Sequence, residues 1–434
     1  MNKIILFFIF IIFLVGCSFH KNSKFWTASK DITEELNPNY TKILIEDKAL
    51  EQELNPSLKI RLDKEINNNL LLRNYLNNDG MLDYNGLLKK SSRYKFSKIK
   101  KFYEFEPTIS FNKNNLIFFD NKGSVLQFNN QSKLIWKKNY YSKSEKKLKP
   151  VLQFANNNKF LIVADNIAKY YALDLISGNL IWSKNNLAPF NSQIKIYENK
   201  FFIIDFSNTL RCFSIKNGKE LWNIKTENTL VRSHKKLSMV IIDNFLYFNN
   251  SIGDISAVNI DKGELLWQLP TQSSLIYGAA FSLETSDIIS DSNTLFFSNN
   301  KNQFFSIDLA TGSFNWENKI NSSLRPSLVG NYLITISNEG YLVIIDKRNG
   351  NIVRVTDTFK NFKKKKRDKM KPVGFVVGLK NVYLSINNGR LLVIDIFTGK
   401  TVSILKVDNQ KISRPIIFDK SLFVVKDDAI IKLD

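Results

Sequence analysis

One twelve-residue phrase returns along this chain at intervals of 38 to 49 residues. It reads "VLQFNNQSKLIW" at 125–136, "YALDLISGNLIW" at 171–182, "RCFSIKNGKELW" at 211–222, "SAVNIDKGELLW" at 256–267 and "FSIDLATGSFNW" at 305–316. Weaker copies are "VIIDKRNGNIVR" at 343–354 and "LVIDIFTGKTVS" at 392–403. A period of this size restricts the fold to propeller blades or a helical array, since each unit must bury its apolar face against the next. The local pattern separates the two. Each copy is an apolar run, a turn and a second run, and the apolar positions do not follow a helical period. In the second copy Leu173 and Leu175 share one face of a strand, while Ala172 and Asp174 take the other. Gly178 supplies the positive φ of a tight hairpin, and Gly218, Gly263, Gly312, Gly350 and Gly399 repeat it.

A further apolar strand precedes each copy, as in "KFLIVAD", "NFLYFNN" and "NYLITIS". Pro107, Pro150, Pro326, Pro372 and Pro415 stand before several of these, where a proline costs no ladder donor. Each unit therefore reads as a four-stranded antiparallel sheet. Trp136, Trp182, Trp222, Trp267 and Trp316 fall at one fixed place in the phrase, where a large ring fills the gap between adjacent sheets. Seven copies are visible, and an eighth begins at Pro415 and stops at Asp434 before its last strand. An open sheet edge pairs with whatever arrives. The missing outer strand must come from upstream, and "RYKFSKIKKFYEF" at 93–105 is the candidate. The expected fold is all-β: an eight-bladed propeller over 93–434, its ring closed by an N-terminal strand.

The start of the chain reads "MNKIILFFIFIIFLVGCSF". Lys3 precedes twelve apolar residues, Ile4 to Val15, a run shorter than the ~20 residues that span a bilayer. Leu14-Val15-Gly16-Cys17 resembles a bacterial lipobox, which implies removal of residues 1–16, acylation of Cys17 and, with Ser18 next, sorting to the outer membrane. Multiple acyl chains anchor stably. Residues 17–92 are polar, lack the repeat and read as a partly ordered tether, with room for a short helix in "NPSLKIRLDKEINNNLLLRNYL". The remaining cysteine, Cys212, lies in a blade strand and reads as core.

The net charge of +22 comes mainly from lysine, alongside abundant Asn and Ile. Nucleotide composition also produces that bias, so no nucleic-acid partner is expected. The densest basic run, "KKKKRDK" at 363–369, falls between the sixth and seventh blades and reads as a solvated loop; anionic lipid or an acidic partner is the other reading. The chain has two histidines, His20 and His234, and no metal-ligand spacing, cysteine pair or phosphate-cradling loop. No catalytic residue, metal or cofactor is expected.

The phrase "ALDxxxGxxxW" resembles the docking repeat of pyrroloquinoline-quinone (PQQ) dehydrogenases. Those enzymes add a calcium site, an Asp base and often adjacent cysteines, which are not legible here, so the repeat speaks for the fold alone. A lipobox, a polar tether and eight docking-type blades together resemble the BamB family, propeller lipoproteins of the outer-membrane β-barrel assembly machinery. The resemblance implies a non-catalytic scaffold on the periplasmic face of the outer membrane. It holds the periplasmic domains of the barrel-forming subunit and meets unfolded outer-membrane proteins. The family's Leu-x-Leu-Arg motif falls on "TLVRSH", so Thr229, Leu230, Val231 and Arg232 are the implied partner-binding residues, with Thr229 a departure. Its acidic pair falls on Ser282 and Glu284, where only Glu284 keeps the charge. The alternatives are a PQQ-dependent or other ligand-binding envelope propeller, or one bound to cell-wall polysaccharide.

Overall fold

The computed structural model describes residues 52–62, 66, 69–227, 235–271 and 283–434. These build eight antiparallel sheets arranged as propeller blades. The second blade is typical, with strands Leu152–Asn156, Phe160–Asp165, Lys169–Asp174 and Leu180–Asn185 in sequential order. Its middle strands are buried on both faces, Leu173 and Ala172 alike, because each sheet is sandwiched between two neighbours. Alternation survives only in outer strands such as Glu220–Lys225, half-buried and exposed by turns.

The outer strand of the eighth blade is Lys90–Lys95, paired antiparallel with Ala429–Leu433 from Lys90↔Leu433 to Lys95↔Ala429. It begins upstream of the expected 93–105 segment, and Phe102–Glu104 forms a 3-10 turn instead of strand. Residues expected as the end of a tether also join the ring. Met81–Leu82 adds a fifth, parallel strand to the inner edge of the seventh blade, Pro372–Gly378.

Each tryptophan of the phrase docks on the following blade. The indole N–H of Trp136 donates to Ile176 O (2.8 Å), Trp182 to Ile215 O (2.8 Å), Trp222 to Ile260 O (3.0 Å), Trp267 to Leu309 O (3.0 Å) and Trp316 to Lys347 O (3.0 Å). The ring lies flat on the hairpin glycine. A Cβ on Gly263, whose φ is +72°, would sit 2.6 Å from Trp222 Cδ2. The glycine is thus required twice, for the turn and for the approach of the indole. Gly263→Ala is expected to cost about 2–3 kcal/mol, combining left-handed strain with the clash. In a Trp222→Ala background only the strain should remain, about 1–2 kcal/mol. Urea unfolding of the four proteins measures this coupling, and additive effects would contradict it.

Three blade junctions lack the tryptophan. Tyr94 replaces it between the eighth and first blades, its hydroxyl donating to Asn130 O at 3.2 Å. Arg354 holds the position in the sixth blade and is fully buried. Its guanidinium donates to Ile396 O (2.8 Å), to Phe397 O, and to Leu58 O (3.0 Å) of the N-terminal segment. Leu54 pairs with Val355 beside it, and Ile60 and Leu62 are buried in the same core. Between the seventh and eighth blades Tyr84 packs on Tyr383, ring centroids 5.1 Å apart, and bonds Leu433 O at 3.3 Å.

Cys212 is a free, fully buried thiol in the third blade, packed with Phe202, Leu246 and Val258. Burial pushes its pKa up to about 12, which suits core packing and not redox chemistry. No helix among the described residues is long and apolar enough to cross a membrane.

Candidate functional site

Short inner strands line the central channel, and a segment that the repeat does not announce runs into it. Asn69 caps the helix Leu70–Leu76 by accepting from Leu72 N (3.0 Å), and Asn77, at φ 53°, ends it in the left-handed region. Asparagine tolerates that conformation because its side chain finds local partners. Here those partners are on the blades. Asn77 Nδ2 donates to Met239 O and Ile288 O, both at 3.0 Å, in the fourth and fifth blades. Asn77 Oδ1 accepts from Lys195 Nζ (2.6 Å) in the third, and Asn78 Oδ1 accepts from Leu328 N (3.0 Å) in the sixth.

Asp79 completes the plug. Its carboxylate meets Arg414 at 2.5 Å, Arg73 at 3.4 Å and Arg325 at 3.9 Å. Arg325 Nε also donates to Asp287 (2.6 Å), which accepts from Gln193 (3.0 Å). Burial alone would push the Asp79 carboxyl up, but Arg414, Arg325 and Arg73 hold it well below the usual carboxylate range. Asp287 moves the same way: burial opposes, and Arg325, Lys236 and Lys235 prevail. The Lys195 ammonium is brought down to about 7, first by burial and then by Arg325. Beside this network lies a cavity of ≈ 230 Å³, lined by Glu106, Lys195, Lys236, Arg325 and Arg414 among others.

Next to this network the channel opens on the face that carries the blade-to-blade connections. Thr226 N bonds Asn208 O (3.0 Å) and Thr271 Oγ1 bonds Gly253 O (2.9 Å), so these connections share a face with the second hairpin of each blade. Around the mouth stand Lys235, Lys236, Lys371 and Lys411 with Glu104, Glu106 and Glu284. Glu284 is exposed, and its backbone is fixed by Asn300, which accepts from Glu284 N at 3.0 Å and donates to Glu284 O at 3.0 Å. Thr229, Leu230, Val231, Arg232 and Ser282 lie outside the described residues, as does Cys17. Their flanks are placed: Glu227 and Lys235 bracket one loop between the third and fourth blades, and Thr271 and Leu283 the next.

Chemically, the carboxylates of Asp79 and Asp287 are committed to arginines. Among the described residues no cluster of His, Cys, Asp or Glu could hold a metal ion. The arrangement offers a charged mouth and a channel filled by the chain's own residues.

The family model described as "Outer membrane protein assembly factor BamB" matches residues 121–356, more than half of the chain. The chain belongs to this family. BamB of Shewanella oneidensis is 24% identical over 239 residues, 49% of this chain and 56% of that one. The chain spans about half the length of the curated relatives it matches. Among solved structures, BamB of Moraxella catarrhalis superposes with a TM-score of 0.64 at 14% identity, covering 80% of this chain and 100% of that one. The quinohemoprotein alcohol dehydrogenase of Comamonas testosteroni superposes with a TM-score of 0.64 at 10% identity, covering 84% and 79%. Both likenesses speak to the fold alone. The plug of this BamB-family propeller escaped sequence reasoning because "NNNLLLRNYLNNDG" carries no repeat; its one signal is a charged Asp79 beside Gly80 in an otherwise Asn-rich run.

Proposed function

We propose that this BamB-family chain is a non-catalytic scaffold of outer-membrane β-barrel assembly. It docks through the loops after the third and fourth blades on the periplasmic domains of the barrel-forming subunit, and so aids folding and insertion of outer-membrane proteins. Thr229, Leu230, Val231 and Arg232 form one part of the contact and Glu284 the other. Residues 1–16 are a leader, and acylated Cys17 anchors the protein at the periplasmic face of the outer membrane.

Membership of the family carries the reading. The plugged channel supports it: the interior where a propeller would receive a small ligand holds Asn77 and Asp79, which leaves the loop face as the open surface. An arginine beside an aliphatic side chain on such a face is a typical interface anchor. The test is co-purification from detergent-extracted envelopes. The unsubstituted chain should retain the barrel-forming subunit, and Arg232→Glu should lower recovery at least roughly tenfold, since reversing an interface charge costs several kcal/mol. Failure of the unsubstituted chain to retain that subunit would refute the scaffold role. Unchanged recovery with Arg232→Glu would refute the assigned contact.

A further inference from the structure

The connection between the sixth and seventh blades carries eight basic residues and one acidic residue between Lys360 and Lys371. It is a fixed projection. Phe359 is buried, Phe362 packs on the same core, and Met370 is buried at the far end. Arg367 folds back to Asp357 at 2.5 Å, and Thr358 N bonds Gly340 O at 3.1 Å. Between these anchors, Lys364–Arg367 forms one helical turn that follows the extended Lys363. Lys363, Lys364, Lys365 and Lys366 are all exposed, and none makes an ion pair with a described residue. Like charges at this spacing repel and are disfavoured unless an anionic surface neutralises them.

A second observation indicates which surface. The chain approaching from Cys17 meets the propeller at the foot of this projection. Glu53 accepts from Asp357 N (3.2 Å) and pairs with Lys360 (2.9 Å), and Leu54 pairs with Val355. At ~3.3–3.6 Å per residue the stretch from Cys17 to Glu53 reaches at most ~130 Å, so it is long enough to let the projection touch the bilayer that holds Cys17. We propose that Lys363–Lys366 rests on the anionic phospholipid headgroups of the membrane in which the chain is anchored. This rests on the reading of Cys17 as a lipid anchor. The projection and the segments between Glu227 and Lys235 and between Thr271 and Leu283 all connect one blade to the next, but the projection lies two to three blades further round the ring. Lipid and partner can therefore be held together.

The test uses the mature chain, residues 17–434, with Cys17→Ser so that it bears neither leader nor acyl group, in flotation with vesicles of equal parts phosphatidylethanolamine and phosphatidylglycerol, or of phosphatidylcholine alone. The chain should float with the first and not the second. Reversing Lys363, Lys364, Lys365 and Lys366 to Glu should lower the bound fraction at least tenfold, from roughly fivefold per lysine near an anionic surface. The same reversal at Lys143, Lys146, Lys147 and Lys149, in the connection between the first and second blades, should change it by less than about twofold, because contact falls off within a Debye length. Equal losses from the two sets, or no flotation on anionic vesicles, would overturn the proposal; in the latter case an acidic protein surface becomes the partner of the projection. The anchor is tested separately by the mass of the N-terminal peptide from envelopes, and a bare Cys17 there would sink the anchor while the flotation result stands.

Discussion

Asp79→Ala is expected to lower the unfolding free energy by about 3 kcal/mol, because it leaves the guanidinium groups of Arg414, Arg325 and Arg73 converging on a channel with their shared carboxylate gone. The figure stands at the low end for a broken buried pair, since the cavity beside the network admits water. The pH dependence follows from the direction of the shift. Asp79 is held below its ordinary pKa, so its contribution is complete above the unfolded value near ~3.9 and is lost as pH falls through the folded value. Asp79→Asn keeps a hydrogen-bond acceptor and loses the charge. The gap between it and the unsubstituted protein should be constant from pH ~5 to ~8 and close on acidification. Lys195 acts in the opposite range. Its folded pKa of about 7 lies below the unfolded one near ~10.4, so the unfolded chain binds the extra proton and stability falls as pH drops from ~10 to ~7. Urea unfolding across pH reads both. A gap that persists unchanged at pH ~3 would mean that the plug is not held by this charge.

Arg354→Ala is expected to cost about 3–4 kcal/mol and to release the N-terminal segment. The substitution strips the donors from Leu58, Ile396 and Phe397 carbonyls and opens a void where the repeat elsewhere places an indole. Arg354→Met keeps much of the volume and none of the donors, and should cost about 2 kcal/mol. Hydrogen exchange distinguishes a local role from a global one. The Leu54 amide, bonded to Val355 O at 3.1 Å, should exchange faster in both variants well below the unfolding transition, while amides in the second blade should not change. Unaltered protection at Leu54 would show that Arg354 does not tie the segment down.

Both predictions fall on residues outside the repeat's own logic. The sequence read Gly263 as a hairpin turn and Trp222 as packing between sheets, but that the ring of one blade lies on the glycine of the next was decided by the structure. Tyr94 was legible as a strand residue alternating with Lys95, though the strand it belongs to begins at Lys90. Arg354 stood in plain view at a tryptophan position, yet nothing local says that its donors would take carbonyls from Leu58 and Phe397, which lie 296 and 43 residues away. Glu284 was named only through the family resemblance, and its neighbours Lys235 and Lys411 at the channel mouth were not named at all.

The sequence alone determined the blade count, the strand order within each blade and the inter-blade role of the tryptophans, since these follow from short-range periodicity repeated until one geometry remains. Tertiary structure alone decided that residues 69–82 fill the channel and extend the seventh blade, and that Arg354 and Tyr84 stand in for missing indoles. Those outcomes depend on unrepeated contacts between residues far apart in the chain, such as Asp79 with Arg325 and Arg414, whose energy arises only after the ring has closed and brought them together.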